Sequence, residues 1–423
     1  MSLFLLGIFI LLSFLGIPLA VSLGLSSVIT VLIYDLPITI ITRLMYTSMN
    51  SFLLVAVPLF ILAGTVMEKG GVADRIFSAA NSYIGRFRGG LGMVNIIASF
   101  IFGGISGSSV ADVGSLGPLE IKAMTDEGYD KGYSAALTMV TSTLSSVVPP
   151  SILMIVAAVA AGQSVGACLA GGFGPAIALS AIFMIQNYFI ARRKGYGKIV
   201  KRGFKEIVRI VVDSIPALVS PVIILVGMFS GIVTPTEAAA LAVIYTLFVS
   251  TFVYKKMPWK EFPRMVISSG VTAGTILLVA MTASVATYVF AVDQLPLKVS
   301  TFMLGISQNP NLIMVLMGLI FIIVGMFLDI TAAILLLTPV LMPTAVQVGV
   351  DPLHFVVFMV TALSIGLSTP PVGVCLFATS LVAKISIEQI VKASWQFYLT
   401  IFIFICVFAM TPQLSLVFVR LFT

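Results

Sequence analysis

Long apolar runs, broken at a few points by glycine, serine and proline, dominate this chain. Stretches without a charged residue occupy 3–34, 44–67, 89–111, 132–191, 214–236, 238–254, 265–292, 299–328, 330–350, 352–383 and 393–419. A helix needs about 20 residues to span about 30 Å of hydrocarbon. The 60 residues of 132–191 therefore hold two or three crossings. The pattern predicts about 11 crossings in all, with shorter re-entrant pieces between some of them. The run from Leu3 to Tyr34 is too long for a cleaved signal and predicts an uncleaved first helix, kinked at Gly16-Ile17-Pro18.

Two stretches match each other at a constant offset of 221 residues. Gly104 falls on Gly325, Ala111 on Ala332, Leu116 on Leu337 and Pro118 on Pro339. Gly128 falls on Gly349, Asp130 on Asp351, and Pro149-Pro150 on Pro370-Pro371. No gap is needed across these 47 positions. The shared residues are mostly helix breakers, so an interrupted unit has been duplicated. Duplicated halves with interrupted helices place a transport site where the halves meet. The expected division is 1–211 and 212–423. The first half carries a hairpin near 96–124 and a broken helix near 135–160. The second carries a hairpin near 317–345 and a broken helix near 356–382.

Composition fixes the class. The chain is 59% hydrophobic and 9% charged, with a mean hydropathy of +1.17, whereas water-soluble domains carry roughly 25% charged residues. This is an all-α polytopic membrane protein whose immediate environment is the lipid bilayer. The net charge of +7 does not point to nucleic acid, because the basic residues sit in short connections. Arg192, Arg193, Lys194, Lys198, Lys201, Arg202, Lys205 and Arg209 form one cluster, and Lys255, Lys256, Lys260 and Arg264 another. They flank an apolar stretch long enough for two crossings, so they lie on one face, which the positive-inside rule makes cytoplasmic. Between Arg192 and Arg209, apolar Ile199, Val200, Phe204 and Ile207 fit either a surface helix or an ordinary basic loop. His354 is the single histidine, and the three cysteines, Cys168, Cys375 and Cys406, are far apart. Neither a catalytic triad nor a cysteine/histidine metal site has the residues it needs, and the chain is not read as an enzyme.

The first interruption, Gly103-Gly104-Ile105-Ser106-Gly107-Ser108-Ser109-Val110-Ala111-Asp112, ends an apolar run. About a dozen residues follow before Glu120 and Lys122, too few to recross the bilayer, so the segment enters and leaves on one side. Its counterpart runs from Gly325 through Asp329, Thr331 and Ala332. Small residues commonly mark close helix packing in membranes, but packing alone does not require equivalent breaks in both halves. The double prolines interrupt two further helices. Each proline removes an amide donor and leaves carbonyl oxygens unpaired at membrane depth. Those carbonyls, with a nearby hydroxyl, suit dehydrated sodium. The candidate sodium ligands are Gly104, Ser106, Ser145, Val148 and Pro150 for one site, and Gly325, Gly366, Thr369 and Val372 for its mirror. A proline-kinked structural helix is the competing reading.

Isolated intramembrane acids usually face cavities or pathways. Asp112 and Asp329 qualify but fall at different repeat positions, Asp112 on Ala333 and Asp329 on Ser108. They would make the ion sites unequal, couple a proton, or simply sit at wetted hairpin tips. Glu237, after Thr234-Pro235-Thr236, reads as a helix-capping residue. An anionic substrate suits the tips, where helix starts and amides face it. Its candidate contacts are Ser108, Ser109, Asp112, Asp329, Thr331 and Pro371.

Taken together, Gly103 to Met124, Ser145 to Ser151, Gly231 to Ala240, Gly325 to Ala345 and Gly366 to Ser380 resemble the large membrane subunit of tripartite ATP-independent periplasmic (TRAP) transporters. The resemblance covers essentially the whole chain. It implies an ion-transporter-superfamily fold of two inverted repeats in a bacterial inner membrane. It implies sodium-driven uptake of an organic acid, such as sialic acid or a C4-dicarboxylate, by an elevator motion, with Na+ as the coupling ion and no other cofactor. Two partners are implied: a separate small four-helix membrane subunit and a soluble periplasmic protein that delivers the substrate. One departure is Ser145, where many relatives carry glycine, so a side-chain oxygen is expected to join the first ion site. A self-contained sodium/dicarboxylate symporter, needing no binding protein, is the alternative.

Overall fold

The computed structural model describes residues 1–85, 87, 89–197 and 204–422. Among these, 21 α-helices and no strand are found. Eight helices are long and apolar enough to cross a membrane, against the 11 or so crossings expected. The shortfall comes from runs that are broken rather than continuous. The first run is two helices, Ser2–Phe14 and Leu19–Ile33. Gly16 between them has φ +82°, which ends the first helix outright instead of kinking it. The run 132–191 contains Lys131–Ser142, a 3₁₀ turn at Thr143–Ser146, Ile152–Ala160 and Val165–Lys194. The predicted surface helix between Arg192 and Arg209 falls largely on 198–203, outside the described residues.

The duplicated residues have a common structural role. Gly128 and Gly349 adopt φ +89° and +87°, a left-handed exit that glycine takes at no steric cost. Two residues later Asp130 and Asp351 cap the next helix: the Asp130 carboxylate accepts from Tyr133 N at 2.9 Å, and that of Asp351 from Leu353 N at 2.8 Å. The capped helices, Lys131–Ser142 and Pro352–Gly366, are the innermost of the fold. Every residue from Tyr133 to Ser142 and from Leu353 to Gly366 is buried, as expected for helices apolar all round. Their hydroxyls turn back onto carbonyls of the preceding turn, as in Thr361 to Val357 O at 2.7 Å and Ser364 to Val360 O at 2.7 Å. Both helices lead, a few residues past their ends, into cis double prolines, Pro149-Pro150 and Pro370-Pro371.

The hairpins pack crosswise onto these breaks. The first is Gly90–Ser106, turning at Gly107 into Ser109–Ser115 and Gly117–Asp126; the second is Pro310–Phe327, turning at Leu328 and Asp329 into Ile330–Gln347. Ser109–Ser115 packs on Val374–Ala383, and Ile330–Gln347 packs on Ile152–Ala160. The two pairings exchange under the 221-residue offset. Around this centre lies an outer layer. Phe262–Val292 runs against Leu19–Ile33, Thr39–Met49 and Ala56–Lys69, and Pro235–Phe248 covers Ala56–Lys69 from the other side. Thr234 and Glu237 form the expected capping box at the start of that last helix. Ion pairs Arg75–Asp213, Lys256–Asp74 and Lys69–Glu261 gather segments of the outer layer at one end of the molecule.

Candidate functional site

Four helix starts from the hairpins and breaks, beside that of Leu19–Ile33, converge on one cavity of about 640 Å³. Ser108 and Ser109 come from the first hairpin tip, Asp329 and Thr331 from the second, Ile152 from the first break and Val374 from the second. Each helix presents its amino end, where the helix dipole favours negative charge. The opposite wall belongs to the outer layer: Gly64, Thr65 and Glu68 from Ala56–Lys69, and Thr272 and Thr275 from Phe262–Val292. The ionisable groups of the lining are Glu68 and Asp329; no lysine or arginine lines it among the described residues.

The tip side chains are already engaged. The Asp329 carboxylate accepts from Thr331 N at 2.9 Å and Ala332 N at 3.4 Å, so it caps its own helix. Ser108 Oγ accepts from Ala111 N at 3.4 Å. The hydroxyls of Ser109 and Ser146 are 2.6 Å apart and tie the first tip to the first break. Ser151 Oγ accepts from Met154 N while donating to Ser146 O.

Backbone meets backbone beneath both tips. A Cβ placed on Gly103 would stand 2.5 Å from Ser145 Cα, and one on Gly104 3.0 Å from Pro149 O. Gly107, at φ +60°, approaches Ile152 N and Pro150 O. On the other side, a Cβ on Gly325 would stand 2.6 Å from Leu363 O, and one on Gly366 2.7 Å from Gly325 Cα. Gly373 N donates to Met326 O at 3.1 Å, and a Cβ on Gly373 would stand 2.8 Å from the carbonyls of Leu367 and Thr369. Gly104, Ser145, Val148 and Pro150 thus meet around the first hairpin, and Gly325, Gly366 and Thr369 around the second. Break carbonyls face glycine backbone with no side chain between, an arrangement that fits a small hard cation. Ser106 lies higher, in the cavity wall, its Oγ accepting from Ser108 N at 3.4 Å. Val372 sits apart, 37% exposed.

The predicted substrate contacts divide in two. Ser108, Ser109, Asp329 and Thr331 share the cavity, while Asp112 and Pro371 do not line it. Asp112 is 1% exposed and packed inside the protein rather than open to the cavity. The outer wall was not foreseen. Thr65, Thr272 and Thr275 occupy ordinary apolar helices, and Glu68, next to Lys69, resembles the polar end of a span. The one usable signal was that Glu68 closes a 24-residue uncharged run, 44–67.

Over residues 6–414 the sequence matches the family model described as "Tripartite ATP-independent periplasmic transporter, DctM component". The chain belongs to that family. Relatives of this DctM-type subunit include the sialic acid TRAP transporter large permease protein SiaM of Vibrio cholerae. It is 36% identical over 89% of this chain and 88% of that protein. The C4-dicarboxylate TRAP transporter large permease protein DctM of Pseudomonas aeruginosa is 34% identical over 93% of each. Among solved structures, the YdaH transporter of Alcanivorax borkumensis superposes with a TM-score of 0.58 at 12% identity, covering 84% of this chain and 85% of that one. That likeness concerns the fold alone. A TRAP permease is a multi-pass membrane transport subunit, and the tripartite name implies companion components.

Proposed function

We propose that this TRAP large subunit imports an organic acid anion across a bacterial inner membrane, driven by sodium. The observation that carries the reading is the cavity itself. Four helix amino ends favour an anion, yet the two acids in its wall and the absence of a basic side chain leave no fixed positive charge to balance one. Mobile cations beneath the tips would supply that balance. Moving one charge across 100 mV involves about 2.3 kcal/mol, so sodium co-transport both neutralises the substrate and drives accumulation. The backbone contacts around Gly104, Ser145, Val148 and Pro150, and around Gly325, Gly366 and Thr369, are where those ions would be held.

The names of relatives, which specify sialic acid and C4-dicarboxylates, support an organic acid as the substrate class. The hairpin body forms one cavity wall and the outer layer the other, which suits an elevator motion of the first against the second. A small membrane subunit and a periplasmic binding protein complete the system, and the basic connections face the cytoplasm. Reconstitution of this chain with the small subunit tests the reading, using an imposed sodium gradient and radiolabelled sialic acid or C4-dicarboxylates. Uptake that needs both sodium and the binding protein is expected. Uptake without the binding protein would make the chain a self-contained symporter, and proton-driven uptake would remove the sodium sites.

A further inference from the structure

Asp112 has no part in the cavity, and its surroundings are unusual for an acid. Both of its carboxylate oxygens are buried without a hydrogen-bond donor. The hydroxyls of Ser99 and Ser145 stand beside it, yet neither is in hydrogen-bonding geometry to its carboxylate, and each has another acceptor. Ser145 Oγ donates to Ser99 O at 3.2 Å, Ser99 Oγ to Thr141 Oγ1 at 3.5 Å, and Thr141 Oγ1 to Asn95 Oδ1 at 2.7 Å. The donor chain runs away from Asp112 and leaves oxygen lone pairs around it. The other charged neighbour is a second buried acid, Glu120. Its Oε2 accepts from Asn95 Nδ2 at 2.8 Å and Thr138 Oγ1 at 3.2 Å, while its Oε1 has no partner. Lys122, the nearest base in sequence, is on the surface.

Burying an ion without compensation costs several kcal/mol. A proton would satisfy one Asp112 oxygen and leave the other without a donor, since both adjacent hydroxyls are committed. A cation would satisfy both carboxylate oxygens and accept the hydroxyl lone pairs together. Resting on the sodium-coupled reading above, we propose that Asp112, with the hydroxyl oxygens of Ser99 and Ser145, holds a monovalent cation of sodium type beneath the first hairpin. The site belongs to one half of the chain. Its repeat equivalents are Ile320, Ala333 and Gly366, which offer no side-chain oxygen.

The test is equilibrium binding of ²²Na+ to the full chain in nanodiscs, with choline holding ionic strength constant. Asp112→Asn is nearly isosteric and is expected to bind one ion fewer per chain than the parent. Ser99→Ala keeps the carboxylate and is expected to raise the half-saturating sodium concentration of one ion class by at least about tenfold. It serves as the second variant should Asp112→Asn not fold. Unchanged stoichiometry in Asp112→Asn, or unchanged affinity in Ser99→Ala, would overturn the site while leaving sodium coupling intact. An unmodified chain that binds no sodium would instead remove the sodium-coupled reading itself.

Discussion

Gly325→Ala is the sharpest probe of the hairpin docking. The added methyl would stand 2.6 Å from Leu363 O and 3.2 Å from Gly366 Cα, whereas ordinary contact begins near 3.4 Å. The second hairpin must therefore retreat from the broken helix by about 0.8 Å, the difference between 3.4 and 2.6 Å. The obstacle is main chain, which no rotamer change can clear, and close-packed interiors resist such intrusions. Overpacking of this kind costs about 1–3 kcal/mol. If the ion proposed beneath the tip bears that cost, its affinity falls between about fivefold and 150-fold, at 1.4 kcal/mol per decade. Gly270→Ala, in Phe262–Val292, is the matched control, since nothing lies within 4 Å of its added methyl. The assay is the thermal unfolding midpoint of each variant across a sodium titration. Gly325→Ala should show a lower midpoint and a right-shifted sodium dependence, with Gly270→Ala close to the parent. The docking account is refuted if the two variants behave alike.

Other perturbations separate structure from transport. Asp329→Ala should lose about 0.5–2 kcal/mol of capping, read as a lower unfolding midpoint. Asp329→Asn retains the cap, so any change in its uptake reports the charge facing the cavity. Ser109→Ala removes the hydroxyl contact with Ser146, for about 0.5–1.5 kcal/mol; equal uptake at equal expression would show that the tip-to-break tie is dispensable. Asp293, bonded by Lys298 at 2.8 Å and by Ser2 N at 2.9 Å, is held below the usual carboxylate range by these partners. A lowered folded value means its contribution is present above about pH 4, the unfolded value, and is lost as pH falls further. Asp293→Asn should therefore lower the midpoint at pH 7 but not at the acid end of a pH series.

The breaks were legible because a proline or a paired glycine leaves a mark no apolar helix needs, and duplication marked them twice. Gly128 and Asp130, with their counterparts Gly349 and Asp351, were visible as a repeat before their roles as helix exit and cap were known. Proline alone was a poor guide. Pro175, Pro216, Pro221, Pro339 and Pro343 all lie inside continuous helices, where neighbouring helices at membrane depth hold the backbone straight enough to tolerate the missing bond. Asp112 was placed at the right hairpin, but its burial outside the cavity lining is a matter of packing that pattern does not show. The outer wall of the cavity was invisible for a related reason. Thr65, Thr272 and Thr275 come from helices that lipid and cavity would shape alike, and their meeting with the tips is a tertiary event.

The seam through the cavity has a mechanical consequence. One wall is made of hairpin tips locked by glycine contacts to the broken helices, and the other of long outer helices joined to them through side chains. A molecule lodged between such walls is gripped from both sides, so its bulk sets how closely they approach. In the proposed elevator motion, occupant size would be translated into a gap, and a gap into the ease with which one body slides past the other. Discrimination among acids of similar charge then need not come from any dedicated clamp residue: an ill-fitting anion would be rejected by the friction it creates rather than by the bonds it fails to make.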